Sequence, residues 1–132
     1  MMKILIVEDD ADSRRYIQKI LSNCGKCDLT VDGIEAIDAF LLAHDENEPY
    51  NLLCVDIMMP KIDGTKVIKI VRDLERQKGI IDKDKAKIIV TSALSDRNLI
   101  EKCMLYGCNK YIAKPFEVEE IFVALAELNL IK

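Results

Sequence analysis

Tryptophan is absent from this 132-residue sequence, and the residues that interrupt regular structure are scarce, with 5 glycines and 3 prolines. This scarcity, combined with 50% hydrophobic residues, excludes a collagen-like, low-complexity or intrinsically disordered chain. A chain of this length buries roughly 70% of its unfolded surface, so a core can form without disulfides or a structural metal. We therefore expect one domain spanning residues 1–132.

Positive charge is not in excess either, since 19 lysines and arginines are set against 23 acidic residues for a net charge of −4. Direct nucleic-acid binding, which needs a basic surface, is therefore not expected. No apolar run approaches the roughly 20 residues that span a bilayer, so we expect no membrane insertion. The first apolar run ends at the acidic residues 8–10, which is unlike a signal peptide. The 5 cysteines lack a secreted framework and indicate a cytoplasmic protein.

Short apolar runs alternate with segments whose apolar residues recur at helical spacing. The runs are Ile4–Val7, Cys27–Val31, Leu52–Val55, Lys87–Thr91 and Lys110–Ala113. Most are apolar on both faces, as strands are when helices cover both sides of a sheet, and the more polar second run suits a sheet edge. The alternation predicts right-handed crossovers, a parallel sheet and an α/β three-layer sandwich.

Helix boundaries can be predicted from capping residues and apolar spacing. Helices are expected from Ser13 to Asn23, after Gly33, near Asp63, from Ser95 or Asp96, and after Pro115. Glycine is common just past the end of a helix, so we expect Gly25 to end the first helix and Gly107 the fourth. The charged stretch 72–87 is predicted to be the end of the third helix followed by a long surface loop.

Polar residues follow the predicted strands at the edge where ligands bind in such folds. They are Glu8, Asp9 and Asp10 after the first strand, Asp56 after the third, Thr91-Ser92 at the fourth and Lys114-Pro115 after the fifth. Carboxylates this close repel one another, so at least one should have a raised pKa without a counter-cation. Mg²⁺ suits such a site because it binds carboxylates and phosphate oxygens. An aspartate facing a metal and a lysine is suited to attack phosphorus.

These motifs together resemble the receiver domain of two-component response regulators, the CheY-like family. The matching segments are KILIVEDD, DIMMP followed by Asp63-Gly64, Thr91-Ser92-Ala93 and Lys114-Pro115-Phe116. The resemblance implies a (βα)5 flavodoxin-like sandwich whose five-stranded parallel sheet has the order 2-1-3-4-5. It also implies that Asp56 accepts a phosphoryl group from a sensor histidine kinase or a histidine phosphotransfer protein. The resemblance further implies a phosphorelay switch that catalyses only its own phosphorylation and dephosphorylation.

The resemblance also assigns a Mg²⁺ site. Asp9 and Asp56 would bind the ion directly, Glu8 would reach it through water, and the backbone carbonyl of Met58 would complete the protein ligands. Asp10 matches no ligand position of the family. We expect it to cap the first helix, where a carboxylate accepts hydrogen bonds from free amide groups.

The remaining family positions concern the switch. Lys114 would pair with the phosphoryl group, and Thr91 would be the switch hydroxyl. Tyr111 would turn inward when Thr91 is recruited, and the bond between Lys114 and Pro115 would be cis. The change would reach a surface on helix 4, strand 5 and helix 5, which would bind a downstream protein or a second copy of the chain.

These features allow two other interpretations. An interaction module with the same fold but no phosphorylation is the alternative function; loss of an acid or of Lys114 would favour it, and neither is lost. The pair Cys24 and Cys27 has the spacing of a redox or zinc motif. It lies at a predicted helix C-terminus, where the helix dipole does not stabilise a thiolate, and no further zinc ligands stand at a recognised spacing. We therefore interpret both as structural thiols.

Overall fold

A computed structural model describes residues 1–59, 61–93 and 96–132. In these ranges five parallel strands form one sheet of order β2-β1-β3-β4-β5. The strands are β1 (Met2–Val7), β2 (Gly25–Thr30), β3 (Leu52–Asp56), β4 (Lys87–Ser92) and β5 (Lys110–Ala113). This order confirms the predicted flavodoxin-like topology and places the polar strand β2 at a sheet edge.

Helices cover both faces of the sheet. They are α1 (Ala11–Leu21), α2 (Gly33–Asp45), α3 (Gly64–Gln77), α4 (Arg97–Tyr106) and α5 (Val118–Glu127). One core joins Phe40, Ile68 and Cys103 of α2, α3 and α4 to strand residues such as Leu5 and Leu53. The other joins Ile17 of α1 and Ile121 of α5 to Ile4 and Leu52. Because side chains alternate along a strand, β1, β3 and β4 contribute buried residues to both cores, and the three-layer sandwich is confirmed. Among the described helices none is long and apolar enough to cross a bilayer.

Aspartates begin four of the described helices, because each places a carboxylate on free backbone amides. Asp10 accepts from the amide of Ser13 at 2.8 Å, which confirms its predicted capping role at α1. Asp32, Asp63 and Asp96 cap α2, α3 and α4 in the same way. The alternative start of the fourth helix at Ser95, and Pro60 of the DIMMP segment, lie outside the described residues. Gly107 ends α4 with a φ of 113°, as predicted.

The prediction that Gly25 ends the first helix is wrong. Helix α1 spans Ala11–Leu21, starting two residues earlier than predicted, and its C-cap is Ser22. Gly25 is the first residue of β2 and pairs with Met2 of β1. A Cβ atom there would lie 2.1 Å from the Met2 carbonyl oxygen. This glycine therefore permits a close approach between two strands, a nonlocal contact that helix-end rules do not detect.

A buried ion pair anchors the segment between α3 and β4. Arg72 donates to Glu75 at 2.6 Å, and its guanidinium also donates to the carbonyls of Ala86 and Gly107 and to the side chain of Asn109. The other Glu75 oxygen accepts from the amide of Ala86 at 2.8 Å. The predicted long loop is thus held at the end that enters β4, with one 3-10 turn at Asp82–Asp84.

We expect Glu75→Ala to lower the free energy of unfolding by about 3 kcal/mol, because it leaves a largely buried guanidinium without its carboxylate. Asp73→Ala is the matched control, since Asp73 forms the same type of i, i+3 pair with Arg76 on the same helix but in solvent. It should cost less than about 0.5 kcal/mol. Urea denaturation measures the free energy of unfolding of both variants. Equal losses of stability would contradict an anchoring role for the Arg72–Glu75 pair.

Candidate functional site

The sheet brings the chemically active residues to one edge. Asp56 ends β3 and is paired in register with Thr91 near the end of β4. Glu8 directly follows β1, and its amide donates to the carbonyl of Thr30 at 3.1 Å. Lys114 follows β5, with its amide donating to the carbonyl of Ser92 at 2.8 Å. Four strand ends therefore meet around one crevice, as predicted.

Three acidic side chains converge there. Glu8, Asp9 and Asp56 each have a carboxylate oxygen within 4.8 Å of the others, and among the described residues this is the cluster suited to a metal ion. Glu8 and Asp56 are buried, whereas Asp9 is exposed. Hard divalent ions prefer such oxygens, and one exposed member leaves a side open for waters and a second ligand. The donor set thus fits Mg²⁺.

Lys114 supplies the positive charge of the site. Its ammonium group contacts Glu8 and lies 3.7 Å from Asp56 Oδ1. Burial by itself would lower the pKa of Lys114, but the hydrogen bond to Glu8 and the charges of Asp56 and Glu8 raise it overall. The lysine therefore carries its charge at neutral pH. The peptide bond between Lys114 and Pro115 is cis, as predicted.

Asp56 has an unusual proton affinity. Burial and the negative charge of Glu8 raise its pKa to about 7, although Lys114 and the amide of Met58 act in the opposite direction. One of the crowded carboxyls thus has a raised pKa in the absence of a cation, as expected, although burial contributes more to the shift than the neighbouring charge does. A bound divalent cation would favour the ionised carboxylate that a nucleophile requires.

Thr91 has a buried hydroxyl without a partner. Its Oγ1 is the one buried side-chain oxygen or nitrogen of the described residues that forms no hydrogen bond. Such groups are rare because an unpaired buried hydroxyl costs about 1 to 3 kcal/mol. Thr91 is paired in register with Asp56, so the two residues lie side by side on neighbouring strands.

Tyr111 and Met58 occupy the positions expected from the sequence. Tyr111 lies in β5, is half-buried and packs against the core under α2, α3 and α4. The amide of Met58 donates to Asp56 Oδ1 at 3.3 Å, so the backbone of Met58 passes directly beside the aspartate. Its side chain is 54% exposed.

The structure shows two further contributions to the site. A Cβ atom on Gly64 would lie 2.5 Å from the carbonyl oxygen of Asp56, so the Asp63-Gly64 pair lets the start of α3 approach the acidic residue closely. Arg14, on α1, donates to the carbonyls of both Glu8 and Asp9. The glycine was visible as part of a motif, whereas nothing in the helical pattern distinguished Arg14 from Arg15.

The cysteine pair agrees with a structural role. Cys24 and Cys27 are half-buried free thiols. Burial raises the pKa of both, which is the opposite of what a redox-active cysteine requires.

The raised pKa of Asp56 has a consequence for stability in the absence of divalent cations. Between the ordinary carboxyl pKa of about 4 and the raised value of about 7, the folded protein holds more protons than the unfolded chain, so stability falls as pH rises. We expect Asp56→Asn to be more stable than the wild type at pH 8 by about 1 to 2 kcal/mol, allowing for solvent screening. Urea denaturation should show that this difference in the free energy of unfolding is much smaller at pH 5. The same difference at both pH values would contradict the raised pKa of Asp56.

Two of the buried threonines, Thr91 and Thr30, allow a second comparison. Thr91→Val should raise the free energy of unfolding by about 1 kcal/mol, because it removes an unpaired hydroxyl. Thr30→Val should lower it by about 1 kcal/mol, because the Thr30 hydroxyl donates to the carbonyl of Ile6 at 2.9 Å. Opposite signs in thermal or urea unfolding are the expected result; destabilisation by both would mean that Thr91 has a partner.

Known proteins resemble this chain along almost its whole length. The pattern of the family described as "Response regulator receiver domain" matches residues 4–126. The osmosensing histidine protein kinase SLN1 of Saccharomyces cerevisiae is 30% identical over 96% of this chain, which spans 10% of that protein. The probable chemotaxis protein CheY of Rhizobium etli is 30% identical over 94% of this chain and 89% of its own length. A Borrelia burgdorferi structure, the CheX-CheY-BeF3-Mg complex, has a TM-score of 0.83 at 23% identity, covering 99% of this chain and 90% of that one.

The family match, the identity to a CheY protein and the strand order agree with one another. The same domain occurs in relatives as different as a small chemotaxis protein and a large kinase. Its members are signalling switches. This chain belongs to the receiver domain family of two-component response regulators and is CheY-like.

Proposed function

We propose that Asp56 accepts a phosphoryl group from a histidine of a sensor kinase or histidine phosphotransfer protein. The observation that carries the proposal is the composition of the crevice: clustered carboxylates, a charged lysine and an unpaired buried hydroxyl. These groups match what an incoming phosphoryl group needs, namely a nucleophile, positive charge and a hydrogen-bond donor. The occurrence of receiver domains in a histidine kinase such as SLN1 supports this class of donor.

The reaction is proposed to require Mg²⁺. Asp9 and Asp56 would hold it directly, Glu8 through water, and Met58 through its backbone carbonyl. When bound, Mg²⁺ would neutralise negative charge on the phosphoryl oxygens. The amide contact between Met58 and Asp56 keeps this backbone close to the acidic cluster, in agreement with the ligand set.

Asp56, Lys114 and Thr91 would have different roles in phosphoryl transfer. An Asp56 oxygen forms a bond to phosphorus while the bond from phosphorus to the donor histidine nitrogen breaks, and that nitrogen takes up a proton. Lys114 would leave its contact with Glu8 and Asp56 to pair with a phosphoryl oxygen. The Thr91 hydroxyl would donate to another phosphoryl oxygen, which would end its unpaired state.

The switch would operate through Thr91 and Tyr111. Movement of the Thr91 hydroxyl toward Asp56 would open space in which the Tyr111 ring turns inward. The neighbouring surface of α4, β5 and α5 carries exposed apolar side chains, including Leu105 at 82% and Val123 at 57% exposure. A downstream protein or a second copy of the chain would bind there. We assign this activity to a single domain of residues 1–132. We place the protein in the cytoplasm, where cysteines are normally reduced.

Phosphorylation can be tested by intact-protein mass spectrometry after incubation with phosphoramidate. We expect one phosphoryl adduct with Mg²⁺, none with EDTA and none in Asp56→Asn, because the variant lacks the nucleophile. Asp63→Asn is the control carboxylate variant, since asparagine also caps helices and α3 should be retained. It should be labelled like the wild type.

Absence of an adduct under conditions that label another receiver domain would contradict the proposal. The chain would then act as a phosphorylation-independent interaction module. A labelled Asp56→Asn variant would instead place the acceptor at a different residue.

A further inference from the structure

The loop between β1 and α1 supplies two of the clustered acids, and one arginine holds its backbone. Arg14 Nη1 donates to the carbonyl of Glu8 at 3.0 Å and to the carbonyl of Asp9 at 3.3 Å. Arg14 is half-buried, whereas its neighbour Arg15 points to solvent and pairs with Asp12. Two adjacent helical arginines therefore have entirely different surroundings.

This contact acts on the geometry of the acidic cluster. Consecutive residues in a loop do not by themselves direct their carboxylates to one point, and the negative charges favour separation. Because the peptide group is planar, fixing the carbonyls of Glu8 and Asp9 restricts the backbone that carries both side chains. Hydrogen bonds from a charged donor are roughly twice as strong as neutral ones, so the restraint is substantial.

Other contacts restrain the loop less directly. The amide of Glu8 donates to the carbonyl of Thr30 at 3.1 Å, and the amide of Asp10 donates to the Glu8 side chain at 3.3 Å. Among the described side chains, Arg14 is the one whose hydrogen bonds reach the carbonyls of both acidic residues.

We propose that Arg14 is a positioning residue of the phosphorylation site: it holds the β1–α1 backbone so that Glu8 and Asp9 converge with Asp56 on a divalent cation. The inference rests on the proposed function. A positioning role can be distinguished from a purely electrostatic effect of the Arg14 charge, because the two predict opposite changes in Mg²⁺ affinity when Arg14 is replaced. A positive charge near the cluster repels Mg²⁺, so loss of charge alone would tighten metal binding. Loss of positioning weakens it.

The test compares Mg²⁺ titration by calorimetry for the wild type, Arg14→Gln, Arg14→Lys and Arg15→Gln. Arginine and glutamine have similar helix propensities, so α1 should persist in each glutamine variant. We expect Arg14→Gln to weaken Mg²⁺ binding about tenfold, as is typical when a residue supporting metal ligands is removed. The Mg²⁺ affinity of Arg14→Lys should lie between those of the wild type and Arg14→Gln, because lysine keeps the positive charge but lacks the planar guanidinium group. Arg15→Gln, with the same charge change, should stay within about twofold of the wild type.

Unfolding midpoints in EDTA establish that each variant is folded at the titration temperature. The phosphoramidate labelling rate at saturating Mg²⁺ provides a second measurement and should recover largely in Arg14→Gln. Mg²⁺ binding by Arg14→Gln that equals or exceeds that of the wild type would overturn the positioning role alone. A wild-type protein that neither binds Mg²⁺ nor becomes labelled would overturn the proposed function, and this inference with it.

Discussion

Mutual repulsion among three carboxylates is the constraint around which this domain is arranged. Glu8, Asp9 and Asp56 come from two neighbouring strands, and the sheet register holds them together despite their like charges. Lys114 offsets part of the repulsion, while burial and the negative charge of Glu8 together raise the pKa of Asp56. A site in this condition favours a divalent cation, since cation binding relieves an unfavourable interaction already present in the fold.

The rigidity that sustains this arrangement comes from the two cores. Strand β1 has fully buried residues from Ile4 to Val7, with alternate side chains packed beneath different helix layers. Displacement of Glu8 away from Asp56 would therefore disturb packing on both faces of the sheet. Three residues outside the strands also restrain the site. Asp10 caps α1, and Gly64 permits the close approach of α3 to Asp56. Arg14 holds the carbonyl group of Glu8.

Features that depend on local interactions could be predicted from the sequence, whereas features that depend on contacts between distant residues could not. Strand positions and helix faces follow from local periodicity, and Asp10 was recognised as a cap because capping is local. Gly25 was misassigned because its role depends on Met2, which lies on another strand. Arg14 was missed for a similar reason: its hydrogen bonds depend on the path of the loop, and its sequence context is indistinguishable from that of Arg15.

The sequence by itself determined the alternation of strands and helices and the identity of the residues after each strand. From these came the α/β class, and the motifs Glu8-Asp9, Asp56, Thr91 and Lys114 supplied the family resemblance that implied the strand order. Tertiary structure alone decided that Lys114 contacts Glu8, that the Thr91 hydroxyl is buried without a partner and that Arg14 reaches two carbonyls. The physical reason is that side-chain periodicity records which face is buried, whereas distances between strand ends depend on register and packing over the whole sheet.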